Sequence, residues 1–474
     1  MLEMKWIREN AGELRRMAEL KGINSEVERL LAVDKARREL RLQVEGARAR
    51  RNALAQQVAA LKRGGLAEAQ PVPRPEREEA QPILEGQRRQ EEERQSGTAA
   101  QCRDPETQHS AAARLQARVQ LLQEEGRSLA AAAEAAEAEL RRAEAEYEQL
   151  MLLMPNRYAA DTPIGTSDAH NVELRRIGEP PAFEFAALDH MELAEKLGLV
   201  DVGRGVKVAG SRSYVLTGNG VYLHRAVQQL ALDLLAARGF TPMEVPVLAR
   251  EEALVGTGFF PLGREQTYRL PDDGQWLVGT AEVPLVSYYA GEIVELSDPI
   301  LLAGVSSCFR REAGSAGRDV RGLYRVHQFA KVEQVVLCRA DLDEAEAWLE
   351  RITGYAEELL ALLELPYRVV RVCTGDLGFK NYKQYDIETW MPSRGGYGET
   401  HSSSLLLDFQ TRRSNIRYRD EDGSLKYAYT LNNTAAASPR ILIPLLEVHQ
   451  REDGSVHVPP ALRPYMRGLS ELRA

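Results

Sequence analysis

Two stretches in the first third of the chain repeat small apolar residues with a heptad period, and no other sequence feature constrains the fold as strongly. The second stretch lies between Leu115 and Leu150. One helix cannot bury such a seam alone, and alanine allows close approach of a neighbour. We therefore predict two long helices packed as an antiparallel coiled-coil hairpin. The first seam recurs at Val33, Leu40, Ala47, Leu54 and Leu61.

The segment between the two seams, residues 64–112, breaks the helical pattern. Gly64 and Gly65 end the first helix, and Pro71, Pro73 and Pro75 exclude its continuation. The polar composition of the rest favours a flexible tip insertion, with a short piece of helix at Ile83–Gln95. The seams and the insertion together predict an amino-terminal helical arm over residues 1–154.

After Pro155 the composition changes to one rich in glycine, proline, β-branched and aromatic residues. We predict a junction over 155–210 and an α+β domain over 211–474, because most strand candidates follow one another without helices between them and so favour an antiparallel sheet flanked by helices. Neither a GxxxxGK[ST] nor a GxGxxG loop occurs, so P-loop and Rossmann sites have no signal. The strand candidates are KVAGSRSYVLTG, MEVPVLA, WLVGTAEVPL, LLAGVSSCF, HQFAKVEQVVLC, YRVVRV, SSLLLDFQT and LKYAYTLN.

Composition limits the partners and the compartment. The formal net charge is −9, from 61 Lys and Arg against 70 Asp and Glu, so any nucleic-acid surface must be local. The 4 cysteines form no CxxC pair, which indicates reduced thiols, a cytoplasmic compartment and no zinc site. We expect no membrane association, since no stretch approaches the roughly 20 apolar residues of a membrane helix. The start has no apolar leader core, although a trimmed precursor in the mitochondrial matrix or another organelle remains an alternative.

The densest polar stretch, Cys308–Gln334, has two strand-like ends around a glycine-rich, arginine-rich loop. An arginine at a strand end can bind a phosphate with two hydrogen bonds. Such a clamp stabilises the charge that builds during phosphoryl or nucleotidyl transfer. A solvated basic hairpin fits the pattern alone equally well.

The same stretch, CFRREAGSAGRDVRGLYRVHQFAKVEQ, resembles motif 2 of class II aminoacyl-tRNA synthetases in its seryl-tRNA synthetase form. LHRAVQQLALDLLAARGFTPMEVPVL resembles motif 1, LNNTAAASPRILIPLLE resembles motif 3, and GTAEVPL resembles the segment that binds serine. The junction and the opening LEMKWIREN also resemble this family. The resemblance covers most of the chain outside about 64–112, and it implies a class II catalytic domain behind a helical arm.

The resemblance implies a site for ATP and magnesium. Arg310 would bind the α-phosphate and the serine carboxylate, Glu312 would contact the adenosine side, and Phe329 would stack on the adenine. Arg440 would hold the terminal phosphate, so that Arg310, Glu312 and Arg440 form the implied catalytic set. Further ATP contacts would come from Arg311, Glu399, Thr400, His401 and Ser402, of which Glu399 and Ser402 would also coordinate Mg²⁺ through oxygen.

The resemblance also implies a site for serine. Glu333 and Thr434 would bracket the substrate hydroxyl, and a substrate without that hydroxyl would leave them unpaired. No general base is needed, because the serine carboxylate is already an anion; catalysis is positioning plus stabilisation of phosphate charge. The full implied set for serine is Thr280, Ala281, Glu282, Arg310, Glu333, Asn432 and Thr434.

The sequence departs from the family pattern in two of the motifs. In the run that begins at Glu399, His401 and Leu405 are unusual, and Leu405 stands where the family commonly has an amide. In motif 3, Asn433, Ala435 and the pair Ser438-Pro439 replace glycines and their neighbours. The residues there remain small, so the backbone could still approach a ligand. The resemblance still implies activity, and the departures bear on its rate.

The implied activity is the ATP-dependent attachment of L-serine to tRNA(Ser), and also to tRNA(Sec), through a seryl-adenylate. The family implies a homodimer formed through motif 1 and an arm that binds tRNA phosphates, although a charge run on a coiled coil is usually a solvated face. Two alternatives stay open: a paralogue that serves a biosynthetic pathway or a carrier protein, and a non-catalytic RNA-binding scaffold. The arm's basic residues are Arg37, Arg38, Arg41, Arg48, Arg50, Arg51, Lys62 and Arg63.

Overall fold

The computed structural model describes residues 1–64, 105–313 and 322–474. The predicted helix piece Ile83–Gln95 lies outside these residues. Contacts divide the chain into one unit over Leu31–Tyr147 and a second over Met1–Leu30 with Glu148–Ala474. Residues 1–30 therefore pack with residues 148–474, in a different unit from the hairpin. The predicted boundaries of the arm at 154 and of the junction at 210 stay predictions.

The helices of the described residues are α1 (Met4–Glu9), α2 (Ala11–Leu20), α3 (Val27–Gly64), α4 (Pro105–Leu152), α5 (His190–Lys196), α6 (Val202–Ala209), α7 (Asn219–Ala237), α8 (Glu251–Gly256), α9 (Glu282–Ser287), α10 (Leu342–Leu362), α11 (Phe409–Ser414) and α12 (Leu442–Val448). Short 3₁₀ turns lie at Asp168–His170, Leu262–Gln266, Pro392–Arg394 and Pro460–Met466.

The first unit is a hairpin of α3 and α4, called the helical hairpin below. Arg41 lies 2.7 Å from Glu144, and Arg48 lies 2.9 Å from Glu137. The partner on α4 moves back along the chain as the residue on α3 moves forward, so the two helices are antiparallel. This confirms the predicted pairing. Leu54, Leu122 and Ala133 of the heptad seams are buried, and so is Val44 beside the first seam.

The strands are β1 (Val172–Ile177), β2 (Val200–Asp201), β3 (Val215–Leu216), β4 (Thr241–Glu244), β5 (Leu248–Arg250), β6 (Arg269–Leu270), β7 (Gln275–Leu277), β8 (Ile293–Val294), β9 (Ile300–Phe309), β10 (Gln328–Cys338), β11 (Tyr367–Arg371), β12 (Lys383–Met391), β13 (Gly396–Leu407), β14 (Arg417–Arg419), β15 (Leu425–Tyr427), β16 (Tyr429–Ser438), β17 (Val456–His457) and β18 (Glu471–Leu472).

The largest sheet of the second unit has 8 strands in the order β1-β11-β12-β13-β16-β10-β9-β4. Neighbouring strands are antiparallel except for β4, which lies parallel to β9. The predicted α+β fold with a mainly antiparallel sheet is confirmed. The β9–β10 pair follows from two apolar, β-branched runs on either side of the glycine-rich loop.

Helices α7 and α10 cover one face of this sheet. Leu223, Val227 and Leu230 follow the helical period along α7 and are buried against the sheet. Asp341 caps α10 by accepting a hydrogen bond from the Glu344 N–H at 2.9 Å. The covered face is mainly apolar, although Gln334 and Asn433 on it donate to the Ile352 carbonyl of α10 at 3.2 and 2.6 Å.

Parts of three segments predicted as strands are helical in the structure. The KVA of KVAGSRSYVLTG ends α6, whose start Asp201 caps by accepting from the Arg204 N–H at 2.8 Å. The AEVPL segment forms α9, because the Thr280 hydroxyl accepts from the Glu282 N–H at 3.2 Å and a proline is tolerated in a first helical turn. The end of SSLLLDFQT forms α11. Short apolar runs do not distinguish strand from helix by period alone, which is why these three predictions were wrong.

Candidate active site

The open face of β10 carries Phe329, Lys331 and Glu333, because alternate residues of a strand point to the same side. Thr434 on β16 pairs directly with Glu333. The register shifts next to this pair, so that Ala435 has no partner and the neighbours Ala436 and Ala437 pair with Val332 and Lys331. The two residues implied for the serine hydroxyl thus lie side by side on adjacent strands.

A second irregularity brings Glu399 and Ser402 together. On β13, Glu399 pairs with Glu388, His401 with Ile387 and Ser402 with Asp386, so Thr400 is the extra residue of a bulge. Residues three apart normally point to opposite faces of a strand, but the bulge returns Glu399 and Ser402 to the same face. The pattern Glu-x-x-Ser therefore places two oxygen-bearing side chains on one surface.

A cleft lies over this face of the sheet. Seven residues of the implied site line it, together with Leu323, Tyr324, Arg325, Val326, Lys331, Ala437 and Pro439; the seven are Arg310, Glu312, Phe329, Glu399, Thr400, Thr434 and Arg440.

Arg310 follows the end of β9 and is fixed on both sides of its backbone. Its N–H donates to the His327 carbonyl at 3.0 Å, and its carbonyl lies 3.0 Å from the His327 Nδ1. The Arg310 Nε donates to the Gly279 carbonyl at 3.3 Å. The guanidinium carbon lies 5.2 Å from the centroid of the Phe329 ring. A cation is therefore held over an aromatic ring.

Two further residues of this segment differ in exposure. Arg311 has an exposed side chain, and its N–H donates to the Gln266 carbonyl at 2.9 Å. Glu312 is partly buried, has a φ of 51°, and lies 3.5 Å from the Arg325 Nη1. Its side chain lines the cleft, whereas that of Arg311 does not.

Arg440 crosses the cleft to Tyr324 and Glu399. Its Nε donates to the Tyr324 carbonyl at 3.1 Å, and its Nη1 donates to the Glu399 carbonyl at 3.2 Å. The guanidinium carbon lies 4.4 Å from the Tyr324 ring centroid, and Nη1 lies 3.6 Å from the Glu399 carboxylate. A positive group therefore stands beside the carboxylate implied as a metal ligand.

Next to the cleft, which Lys331 also lines, lies a group of charges called the charged cluster below: Glu282, Glu333, Lys331 and Lys380. Lys331 Nζ lies 2.5 Å from a Glu333 oxygen. Glu282 pairs with Lys380 and accepts from the Gln410 amide at 2.7 Å. Burial raises the pKa of Glu333 although Lys331 opposes this, and burial lowers the pKa of Lys380 although Glu282 opposes it.

Of the remaining residues implied for serine, Thr280 and Ala281 precede α9 and are buried. Gly304 lets this helix approach β9, since a Cβ there would lie 2.9 Å from the Ala281 Cβ. Asn432 is buried on β16 and pairs with Val335 and Ser404. None of these three implied residues lines the open cleft.

The two unusual residues of β13 face away from the cleft. His401 is 1% exposed, and its Nε2 lies 3.0 Å from the Ala435 carbonyl while Nδ1 lies 2.9 Å from the Thr400 hydroxyl. Burial lowers the pKa of His401 to about 4. Leu405 pairs with Leu431 and belongs to the core under α7 and α10. Leu405 therefore fills the core and takes no hydrogen bond from the site.

Sequence reasoning missed four residues near the site. Lys331 carries a signal, because it stands two residues before Glu333 on a predicted strand. Asp386 faces Ser402 and accepts from the Gln384 amide at 2.9 Å, and burial followed by the charge of Glu399 raises its pKa. Tyr324 and Lys380 come from other segments and carry no local signal.

Two family models match the chain. The class II tRNA synthetase core domain (G, H, P, S and T) matches residues 268–449, and the seryl-tRNA synthetase N-terminal domain matches residues 1–96. None of the helices among the described residues is both long and apolar enough to span a membrane.

Relatives and solved structures agree with these models. The serine–tRNA ligase of Deinococcus radiodurans is 53% identical over 350 residues, which cover 74% of this chain and 82% of that protein. The serine–tRNA ligase of Rubrobacter xylanophilus is 40% identical over 468 residues, 98% of each chain. A crystal structure of seryl-tRNA synthetase from Pyrococcus horikoshii complexed with ATP has a TM-score of 0.83 at 33% identity, covering 100% of this chain and 99% of that one.

Proposed function

Because the chain belongs to the seryl-tRNA synthetase family, we propose that its cleft activates L-serine with ATP and that its helical hairpin binds the tRNA that receives the seryl group. The chain is a class II serine–tRNA ligase with ATP as its nucleotide substrate. The observation that carries the proposal is the pairing of Glu333 with Thr434 beside Arg310, Phe329 and Arg440.

In the proposed arrangement, ATP lies along the cleft with its adenine on Phe329 and its terminal phosphate at Arg440. Arg310 bridges the two substrates by binding the α-phosphate and the serine carboxylate. The carboxylate oxygen attacks the α-phosphorus, and pyrophosphate leaves. The two arginines stabilise the negative charge that develops, since such preorganised groups act only where charge builds. Arg311 would meet ATP from the exposed rim.

The cleft also suits a hard divalent cation. Glu399 and Ser402 share one face, Asp386 lies behind Ser402, and all three offer the oxygen donors that Mg²⁺ prefers. We propose that Glu399 and Ser402 hold Mg²⁺, with Thr400 in contact with the nucleotide and His401 supporting the strand. The ion would supply charge neutralisation of the phosphates when bound.

The serine is placed by the charged cluster and by the residues before α9. Glu282 with Thr280 and Ala281 would receive the substrate amino group, and Glu333 with Thr434 would receive the hydroxyl. Asn432 stands on the same face of β16 as Thr434 and would support it. The cluster contains two acidic and two basic side chains. An amino acid of zero net charge therefore leaves the net charge of the cluster unchanged when it binds.

The helical hairpin offers cations to tRNA phosphates. Arg41 and Arg48 are paired with acids of α4, yet their side chains are 53% and 57% exposed. Exposed ion pairs contribute only about 0–1 kcal/mol, so a phosphate can replace the acid as partner. We further propose that tRNA(Sec) is a substrate besides tRNA(Ser), that the chain forms a homodimer through α7 and β4, and that it works in the cytoplasm, where charged tRNA is used.

Neither alternative is favoured. A carrier-protein or pathway paralogue does not account for relatives named serine–tRNA ligase that match the chain over 98% of its length. A decayed scaffold does not account for a cleft that keeps Arg310, Glu312, Glu399 and Arg440 together.

Serine-dependent ATP–pyrophosphate exchange, with and without tRNA, tests the proposal. We expect exchange with serine alone and seryl transfer when tRNA(Ser) is added. Exchange driven by another amino acid, or exchange without transfer, would overturn it.

A further inference from the structure

His190, the first residue of α5, joins three separate parts of the fold. Its Nδ1 lies 2.7 Å from the Glu447 carboxylate on α12, and its Nε2 lies 3.3 Å from the Leu323 backbone nitrogen. A backbone N–H can only donate, so Nε2 accepts the bond from Leu323. Nδ1 then carries the proton and donates it to Glu447. The two hydrogen bonds hold the imidazole ring in one orientation.

Glu447 anchors this imidazole. Its side chain is 0% exposed, and it accepts from the His190 N–H at 3.0 Å, from the Ser393 N–H at 2.9 Å and from the Ser393 hydroxyl at 2.7 Å. Burial raises the pKa of Glu447, but the hydrogen bonds from His190 and Ser393 prevail, so that the pKa lies below its ordinary value. A buried carboxylate with all these donors fixes its partners firmly.

His190, Glu447, Leu323 and Ser393 form one hydrogen-bonded unit, and this unit leads to Tyr324, which lines the cleft. Leu323 precedes Tyr324, and Ser393 precedes Arg394. The guanidinium carbons of Arg394 and Arg440 each lie 4.4 Å from the Tyr324 ring centroid. The Tyr324 carbonyl also accepts from the Arg440 Nε at 3.1 Å. The unit thus holds the residues that precede Tyr324 and Arg394, and Tyr324 contacts Arg440 directly, although neither His190 nor Glu447 lines the cleft itself.

The approach of the chain to His190 is close. Gly322 has a φ of +92°, and a Cβ at this position would lie 2.4 Å from the His190 Nε2. Only glycine fits both the conformation and the space. The Leu323 N–H is therefore presented to Nε2 by the path of the backbone as well as by the hydrogen bond.

From these contacts we propose that His190 is a positioning residue: with Glu447 as its anchor, it sets Leu323 and Tyr324, and through Tyr324 it sets the guanidinium of Arg440 for ATP. The inference rests on the proposed role of Arg440 at the terminal phosphate. Serine binding lies at the charged cluster, which the unit does not contact, so the effect falls on ATP alone.

Two variants separate the bonds of the imidazole. His190→Asn places an amide near Nδ1 and keeps the donor to Glu447, whereas His190→Gln places an amide oxygen near Nε2 and keeps the acceptor for Leu323. We measure serine-dependent ATP–pyrophosphate exchange. His190→Asn should raise the KM for ATP by roughly 3- to 10-fold, which corresponds to the net free energy of one hydrogen bond. The KM for serine should stay unchanged. His190→Gln should keep the KM for ATP within about 2-fold and lower the melting temperature instead, because Glu447 loses a donor.

A rise in the KM for ATP that is equal in both variants, or larger in the glutamine variant, would overturn positioning by His190. The route through Arg440 is tested by adding His190→Asn to Arg440→Ala, where we expect less than about 2-fold further change, since coupled residues are not additive. A fully additive effect would overturn this route. A normal KM for ATP in Arg440→Ala alone would instead overturn the proposed role of Arg440, and the route with it.

Discussion

The replacement of Glu333 by alanine tests how the site distinguishes serine from alanine. Glu333 is 2% exposed and lies against Thr434, so a substrate hydroxyl placed between them can both donate and accept. The amino acid alanine, as a competing substrate, has no hydroxyl, so the Glu333 carboxylate of the wild-type site would lose that partner. Such a loss costs about 1–3 kcal/mol, and more for a charged group, which corresponds to at least roughly 5- to 150-fold in favour of serine. Glu333→Ala should remove this discrimination.

The substitution also disturbs Lys331, whose Nζ lies 2.5 Å from the Glu333 carboxylate. Breaking a buried pair by removing one partner costs about 3–5 kcal/mol of folding stability. The double variant Glu333→Ala with Lys331→Met removes the orphaned charge and controls for this effect. We expect the double variant to recover melting temperature relative to the single variant while remaining unable to distinguish serine from alanine.

The assay is ATP–pyrophosphate exchange with serine and with alanine, measured as kcat/KM for wild type, the single variant and the double variant. The ratio of serine to alanine should fall in both variants by the same factor. An unchanged ratio in Glu333→Ala would place the hydroxyl contact elsewhere. A ratio restored in the double variant would show that Lys331, and not the missing carboxylate, caused the loss.

Three further predictions follow from other parts of the molecule. Arg310→Ala should lower the exchange rate by roughly 10²–10³ without changing the melting temperature, whereas a rate within a few-fold of wild type would refute its contact with both substrates. Replacing 31–147, the helical hairpin with the residues that join its helices, by a short linker should spare exchange and abolish seryl transfer to tRNA; efficient transfer by this variant would exclude the hairpin as the binding element. His401 has a pKa of about 4 in the fold against about 6.5 unfolded, so only the unfolded chain takes up this proton as the pH falls from about 6.5 to 4. The free energy of unfolding should therefore fall as the pH drops through that window. Measured by urea unfolding, the fall between pH 7 and pH 5 should be roughly 1–2 kcal/mol smaller in the His401→Gln variant than in wild type. Equal falls in the two proteins would contradict the argument.

The sequence predicts the architecture because its strongest signals are periodic. The heptad seams identify the helical hairpin, and the β-branched runs on either side of the arginine-rich loop identify β9 and β10. The errors fall where a run is short. The segment that becomes α9 is apolar with a proline in its first turn, and only the Thr280 hydroxyl and the space over Gly304 decide for a helix.

The site is predictable only where its spacing follows a regular strand. Phe329, Lys331 and Glu333 alternate along β10, so a reader of the sequence could place them on one face. Glu399 and Ser402 are three residues apart and share a face only because Thr400 bulges out of β13. A bulge depends on the neighbouring strand, whose register the local sequence does not encode.

The bulge also explains why the unusual residues of β13 leave the cleft intact. Past the extra residue, His401 and Leu405 lie on the face that the helices cover, and Ser402 lies on the opposite face with Glu399. An imidazole and an aliphatic side chain are then core substitutions, and the face that carries Glu399 and Ser402 keeps its oxygen atoms. The proposed magnesium ligands and the core residue Leu405, which packs under α7 and α10, therefore lie on opposite faces of one strand. A departure at a packing position changes the shape of the core and leaves the chemistry of the site where it was.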